Sequence, residues 1–270
     1  MVVGGRTVTS MNASTPTRHT RQELRTLLLD TALAILREQG MGLGVKALTF
    51  KRVFVRVQRD TGIHLSNASV IGRIWKNQAD YQADVLATVA AGESGAELDA
   101  TTGAIAALLH QPATCSVDVR RARLREVCRI GGAVNSELLR DSRAWLVWLG
   151  VWALATSGAI SEENDRILEA LHLGYDRVTD EYMALYSAIM DHFGLRLRSG
   201  LTLRQFTLAV SALAEGAALR SRIDEGMVGI LLPTGEGGVL QEWTIFAIGL
   251  DALTQQFFDF ITPFAPASTP

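Results

Sequence analysis

Residues 48–89, LTFKRVFVRVQRDTGIHLSNASVIGRIWKNQADYQADVLATV, constrain this chain more than any other stretch. Thr49 precedes Phe50, Val53, Phe54 and Val57, apolar positions at helical spacing, and Thr61-Gly62 supplies a stop. A hydroxyl or amide side chain just before such a run marks a start, because it satisfies an amide that has no partner in the first turn. The pattern predicts a helix from Thr49 to about Asp60 and a second from Ser66 or Asn67 to Trp75. Asn77 then opens a third, with Asp80 in its first turn and Tyr81, Val85, Leu86 and Val89 facing inward. Short helices this close in sequence bury their apolar faces only against each other, so the stretch must form a compact helical unit.

Thr20 and Glu23 have the spacing of a capping box, and Leu24, Leu27, Leu28, Ala32, Ile35 and Leu36 follow at helical intervals up to Gly40. The GMGLG run after it lacks both a preceding strand and dinucleotide-loop spacing, so it is a connector. Further helices are expected over 97–110, 117–134, 137–156, 162–193, 203–223 and 241–262. Ser161 with Glu162 and Glu163 marks one start, Thr202 with Gln205 another, and Gly194 a stop. No period-2 strand stands out, and 226–238 (GMVGILLPTGEGG) is expected to be a loop. The fold class is therefore all-α.

Charge is divided unevenly. Residues 1–90 carry 12 Lys+Arg against 6 Asp+Glu, while residues 91–270 carry 14 against 22. A basic front on an acidic body points to an anionic partner at one end. Cys115 and Cys128 have no metal-spaced histidine partners, so neither a zinc site nor a disulfide framework is predicted, and no metal or cofactor is expected. The N-terminus lacks an apolar signal core, and the most apolar run, residues 144–155 (AWLVWLGVWALA), is too short to span a bilayer. A cytoplasmic protein without a membrane partner is expected.

A helix-turn-helix needs one helix across the DNA backbone and a second that offers small or polar side chains to the major groove. In residues 67–75, Val70 or Ile71, Ile74 and Trp75 suit the inner face. Asn67, Ala68, Ser69, Gly72 and Arg73 are left for the outer one. Asn suits adenine, Ser either edge, and Arg guanine or a phosphate. Lys76, Asn77 and Gln78 lie at the next helix start, where an ammonium and amides can hold a phosphate. Arg21, Thr49 and Lys51 complete the candidate set for double-stranded DNA.

On these residues the chain resembles the TetR family of transcriptional regulators. Residues 67–75 are similar to the family's recognition helix, which ends in an aromatic. The KNQADY run at 76–81 is similar to its polar cap and following helix, and Thr49 stands where the family's second helix begins. LLLDTALAILREQG (27–40) resembles the first helix, and LAEGAALR (213–220) a pattern of the regulatory domain. The chain departs from the pattern in a longer connection from Thr49 to Asn67, in Gly72 where a Tyr is common, and in Ile74 where a His is common.

The resemblance implies a flexible arm (1–19), a helix-turn-helix DNA-binding domain (20–91) and a helical regulatory and dimerisation domain (96–264). It also implies a homodimeric, ligand-responsive repressor at a near-palindromic operator. Trp145, Trp148 and Trp152 form one stripe, and Tyr175, Tyr182 and Tyr186 lie on the long helix. They either line a pocket for a small apolar or aromatic effector or fill a core. Phe206, Val210, Leu213, Gly216, Phe246, Leu250 and Phe257 are the expected dimer interface. Two other classes stay open: a helical protein-interaction dimer without DNA binding, and a cofactor-free helical enzyme. The second is disfavoured by scattered histidines and the absence of a nucleophile elbow or H-E-x-x-H.

Overall fold

Thr20 opens the first helix as its spacing requires. Its hydroxyl accepts from the Glu23 amide at 3.2 Å, and the Glu23 carboxylate accepts from the Thr20 amide at 2.8 Å. The structure, a computed structural model, describes residues 19–41, 48–92, 96–111, 116–158, 164–224, 229–234 and 239–262. The arm over 1–18, the start at Ser161, Cys115 and residues 235–238 lie outside the described residues.

The fold is all-α. The helices are α1 (Arg21–Gln39), α2 (Phe50–Thr61), α3 (Asn67–Val70), α4 (Gln78–Ala91) and α5 (Ala96–Leu109). They continue with α6 (Val117–Asp141), α7 (Arg143–Thr156), α8 (Asn164–Phe193), α9 (Leu203–Ser221) and α10 (Ile245–Phe257). Gly40, Gly62 and Gly92 close α1, α2 and α4. The capping box of Thr202 and Gln205 opens α9.

Three expectations need correction. The break placed near residue 135 falls at Ser142, which ends α6 and caps α7 by accepting from the Trp145 amide at 3.1 Å. Asn135 lies inside α6, and its side-chain amide donates to the Tyr182 hydroxyl at 2.9 Å instead of capping a helix. The stretch expected as one loop contains β2 (Ile230–Thr234), which pairs antiparallel with β3 (Val239–Trp243). The helix expected from residue 241 starts at Ile245, where Thr244 caps it. Its end is also shorter than expected. Phe258 turns extended, and β4 (Phe258–Phe260) pairs antiparallel with β1 (Leu195–Leu197).

In the β2–β3 pair each strand is buried only at its last residue. Leu231, Val239 and Leu240 face out, while Trp243 is buried and donates from Nε1 to Thr234 Oγ1 at 2.8 Å. Arg120, also buried, holds the other sheet. It donates to the carbonyls of Phe193 at 2.7 Å and Ile261 at 2.9 Å, tying the start of α6 to the ends of both strands.

Two apolar cores result. The front core contains α1–α4, yet it also includes Val147, Val151 and Ala155 of α7 and Ile167 and Leu171 of α8. The packing of residues 20–91 therefore runs on into the segment beyond them. The back core joins α5, α6, the end of α8, α9, α10 and the β1–β4 pair. Among the described residues no helix is long and apolar enough to cross a membrane.

Candidate functional site

Trp75 is the anchor of the front face. Its ring is buried against Tyr81 at 4.8 Å and Phe50 at 6.1 Å, and its Nε1 donates to Asp84 Oδ2 at 2.9 Å. Asp84, only 3% exposed, also accepts a forked pair from Arg25 at 2.9 and 2.7 Å. A third donor is Arg166 of α8, which also lies 3.7 Å from Asp80. A buried carboxylate is tolerable only when its lone pairs are filled by good donors. Here those donors come from α1, from the segment before α4 and from α8.

The segment in front of that anchor is not the helix expected over 67–75. Helix α3 is a single turn, Ile71 is extended, and Gly72 takes φ +75° before the chain closes from the Gly72 amide to the Trp75 carbonyl at 2.8 Å. Only glycine enters that region without a Cβ penalty, so the turn at Gly72 follows the extended Ile71 and the helix does not resume. No atom lies within 4 Å of where its Cβ would be, so backbone conformation, and not crowding within the chain, requires it. Val70, Ile74 and Trp75 are buried, and Ile71 is exposed.

The candidate DNA-contacting residues separate into two groups. Arg21, Lys51, Asn67, Ala68, Gly72, Arg73, Lys76, Asn77 and Gln78 are all exposed. Among the described residues no ion pair involves Arg21, Lys51, Arg73 or Lys76, though Arg73 donates weakly to the His19 carbonyl at 3.4 Å. Thr49 and Ser69 are committed internally, and Lys76 and Asn77 in part. The Thr49 hydroxyl caps α2 at the Arg52 amide. The Ser69 hydroxyl donates to the Ser66 carbonyl at 2.6 Å and accepts from its amide at 3.1 Å. Asn77 Oδ1 accepts from the Asp80 amide, and the Lys76 backbone amide donates to Asp80. Of the clamp expected at 76–78, this leaves the Lys76 ammonium and the side-chain amides of Asn77 and Gln78. Part of the front charge is also neutralised within the chain, since Arg56 pairs with Glu38 and Asp60, and Arg59 with Asp60.

Behind this face lies a cavity of about 500 Å³. Trp145 and Trp148 of α7 and Tyr175, Tyr182 and Tyr186 of α8 line it. Trp152 does not: on nearly the same helix face but about 10 Å further along α7 than Trp145, it is exposed instead of lining the cavity. The walls also include Leu33 and Arg37 of α1 and residues 88–92 at the end of α4, so the cavity touches both cores. Gly174 lets α8 cross the end of α4, since a Cβ there would sit 2.7 Å from the Ala90 carbonyl oxygen. Trp148 Nε1 and Arg177 donate to the carbonyls of Ala90 (3.3 Å) and Ala91 (2.6 Å), which have no partner at the end of a helix.

Glu215 of α9 also lines the cavity, a residue the sequence patterns did not single out. Its carboxylate accepts from the Tyr175 hydroxyl at 3.3 Å. Burial raises its pKa above the ordinary carboxylate value, and the Tyr175 hydrogen bond opposes the shift. Glu215 lies inside the LAEGAALR run (213–220), but nothing in that pattern marked its side chain as facing a cavity.

The expected dimer residues need correction. Phe206, Val210 and Phe246 are inside the back core, and Leu213, Leu250 and Phe257 pack against it. The inner face of α9 is the more apolar one, which is why spacing alone selected it. Gly216 is exposed, on an outer stripe with Leu208, Ala212 and Leu219. Among the described residues no group of His, Cys, Asp and Glu could hold a metal ion. No protein-family model and no curated protein matches the chain.

Proposed function

We propose that the protein is a DNA-binding transcriptional regulator of the TetR type, acting in the cytoplasm as a homodimeric repressor whose grip on DNA responds to a small effector. One observation carries this reading: Lys51, Asn67, Arg73, Lys76 and Gln78 are all exposed, in the segment that the buried Trp75–Asp84 contact anchors. Cations without internal partners release counterions when they meet phosphates, and amides and guanidinium groups read base edges.

The cavity supports the response to an effector. Helix α4 begins at the Lys76–Asn77 end of the reading face and ends in the cavity wall, a span of about 21 Å for its length. A ligand that favours one position of residues 88–92 therefore biases the other end of a rigid rod, provided that its affinity differs between the two positions. The outer stripe of α9 (Leu208, Ala212, Gly216 and Leu219) is the face offered to a second copy, with Gly216 allowing close helix approach. Two copies would set two readers on two half-sites.

The test is selection of bound fragments from random DNA, followed by footprinting and salt titration. Lys76→Ala should weaken every sequence alike and reduce the slope of log K against log salt by about 0.9. No retention of any duplex at low salt would sink the reading. The exposed Leu231, Val239 and Leu240 of the hairpin favour a second reading, a protein-binding dimer without DNA contact. Partner capture without a DNA shift would select it.

A further inference from the structure

We propose that the cavity is a receptor for a compact organic cation, a body of aromatic or aliphatic character bearing one ammonium, with Glu215 as its counter-charge. The proposal rests on the reading of the cavity as an effector site and names the class of effector.

Glu215 carries the argument. Among the described residues no ion pair involves it, and its polar contact is the Tyr175 hydroxyl. A neutral apolar ligand would bury that carboxylate further without compensation, and an anion would meet it as a like charge. A cation replaces the lost hydration with a direct pair. The aromatic walls act in the same direction. Trp148 and Tyr175 meet edge to face at 5.0 Å beside Glu215, and Tyr182 and Tyr186 continue the wall along α8. The negative face of an aromatic ring attracts an ammonium and repels an anion.

The other charged groups of the wall do not reverse this. Arg177 is held by the Ala91 and Gly92 carbonyls and lies 4.0 Å from Glu181. Arg37 and the exposed Asp30 reach the wall from α1, a cation and an anion together. With Asp30, Glu181 and Glu215 against Arg37 and Arg177, the wall has a net negative charge. A cavity of about 500 Å³ accommodates a ligand of two fused rings with a short charged arm.

The test uses the intact protein without DNA and three probes that share one ring system. They are naphthylmethyl-trimethylammonium, naphthylmethanol and naphthalenesulfonate, titrated by calorimetry. The cation should bind about tenfold tighter than the alcohol, with the sulfonate weakest. Glu215→Gln should abolish the preference and leave alcohol affinity within about twofold, while Glu215→Asp should keep the preference. A cation no tighter than the alcohol, a preference that survives in Glu215→Gln, or no binding by any probe would each overturn the proposal. If Glu215→Gln does not fold, the ranking in the unaltered protein decides alone. A chain that keeps this ranking but binds no duplex would sink the regulator reading and leave the receptor standing.

Discussion

The front core and the cavity behind it each contain an inward-facing carboxylate, and the two are treated in opposite ways. Asp84 is buried and filled by Arg25, Arg166 and Trp75. Glu215 is half-buried and has a tyrosine hydroxyl. The first is a strut, since its three donor residues tie α1, the segment before α4 and α8 to one buried charge. The second retains unused capacity to accept, which is what a receptor group requires. Partners, more than depth, decide which role an interior acid takes.

Asp84→Asn breaks the strut and should have the largest effect. Removing one side of a buried charged network should cost about 3 kcal/mol of stability, at the lower end of such losses because both guanidinium groups reach solvent. Urea unfolding followed by tryptophan fluorescence measures it, and a loss below about 1 kcal/mol would mean that Asp84 is not the hub.

Arg166→Met should cost less, about 1 kcal/mol, because Arg25 and Trp75 still fill Asp84. Its larger consequence is for coupling: α8 would lose its charged link to the reading segment, so ligand binding and DNA release should become less linked. Unchanged linkage in a fluorescence-anisotropy titration would assign the coupling to α4 alone.

Glu215→Gln should move stability in the opposite sense to Asp84→Asn. A carboxyl whose folded pKa is raised contributes stability below its unfolded value, and that contribution is lost as pH rises through the folded one. The unaltered protein should therefore lose stability relative to Glu215→Gln as pH rises above about 4.5. Parallel urea curves at a series of pH values from there upward measure the difference; a glutamine variant losing ground with rising pH would refute the burial argument.

Trp152→Gln should have the smallest effect, within about 0.5 kcal/mol on stability, with no change in ligand affinity, since Trp152 is exposed and does not line the cavity. Trp148→Gln should weaken ligand binding. Equal effects from the two would restore a single tryptophan stripe as the binding surface.

Local signals were legible wherever a side chain acts on its own backbone. Thr20, Thr49, Asn77 and Thr202 start helices as their spacing predicts, because a cap and its amide lie within three residues. The aromatic residues of α7 and α8 were legible as stripes, but their facing was not. Trp145 and Trp148 reach the cavity and Trp152 does not, a distinction set by what packs beside α7. On α9 the expected interface set named Gly216 of the outer face beside residues that turn inward, for the same reason. Phe206, Val210 and Phe246 are the stronger apolar signal, and the protomer uses them for its own core.

The sequence by itself determined an all-α chain, most of its helix starts and stops, a basic front and the exposed set from Lys51 to Gln78. These follow from periodicity, capping and charge, which act over one or two turns. Only the tertiary structure decided that Asp84 joins α1, α4 and α8, that one cavity touches both cores, and that Glu215 stands beside Tyr175. Those pairings span 40 to 82 positions along the chain, and no local rule specifies which distant donor a carboxylate will meet. The short α3 lies between the two regimes. Gly72 was visible as a departure from the family pattern, but only the fold ended the helix at Val70 and turned Gly72 to φ +75°.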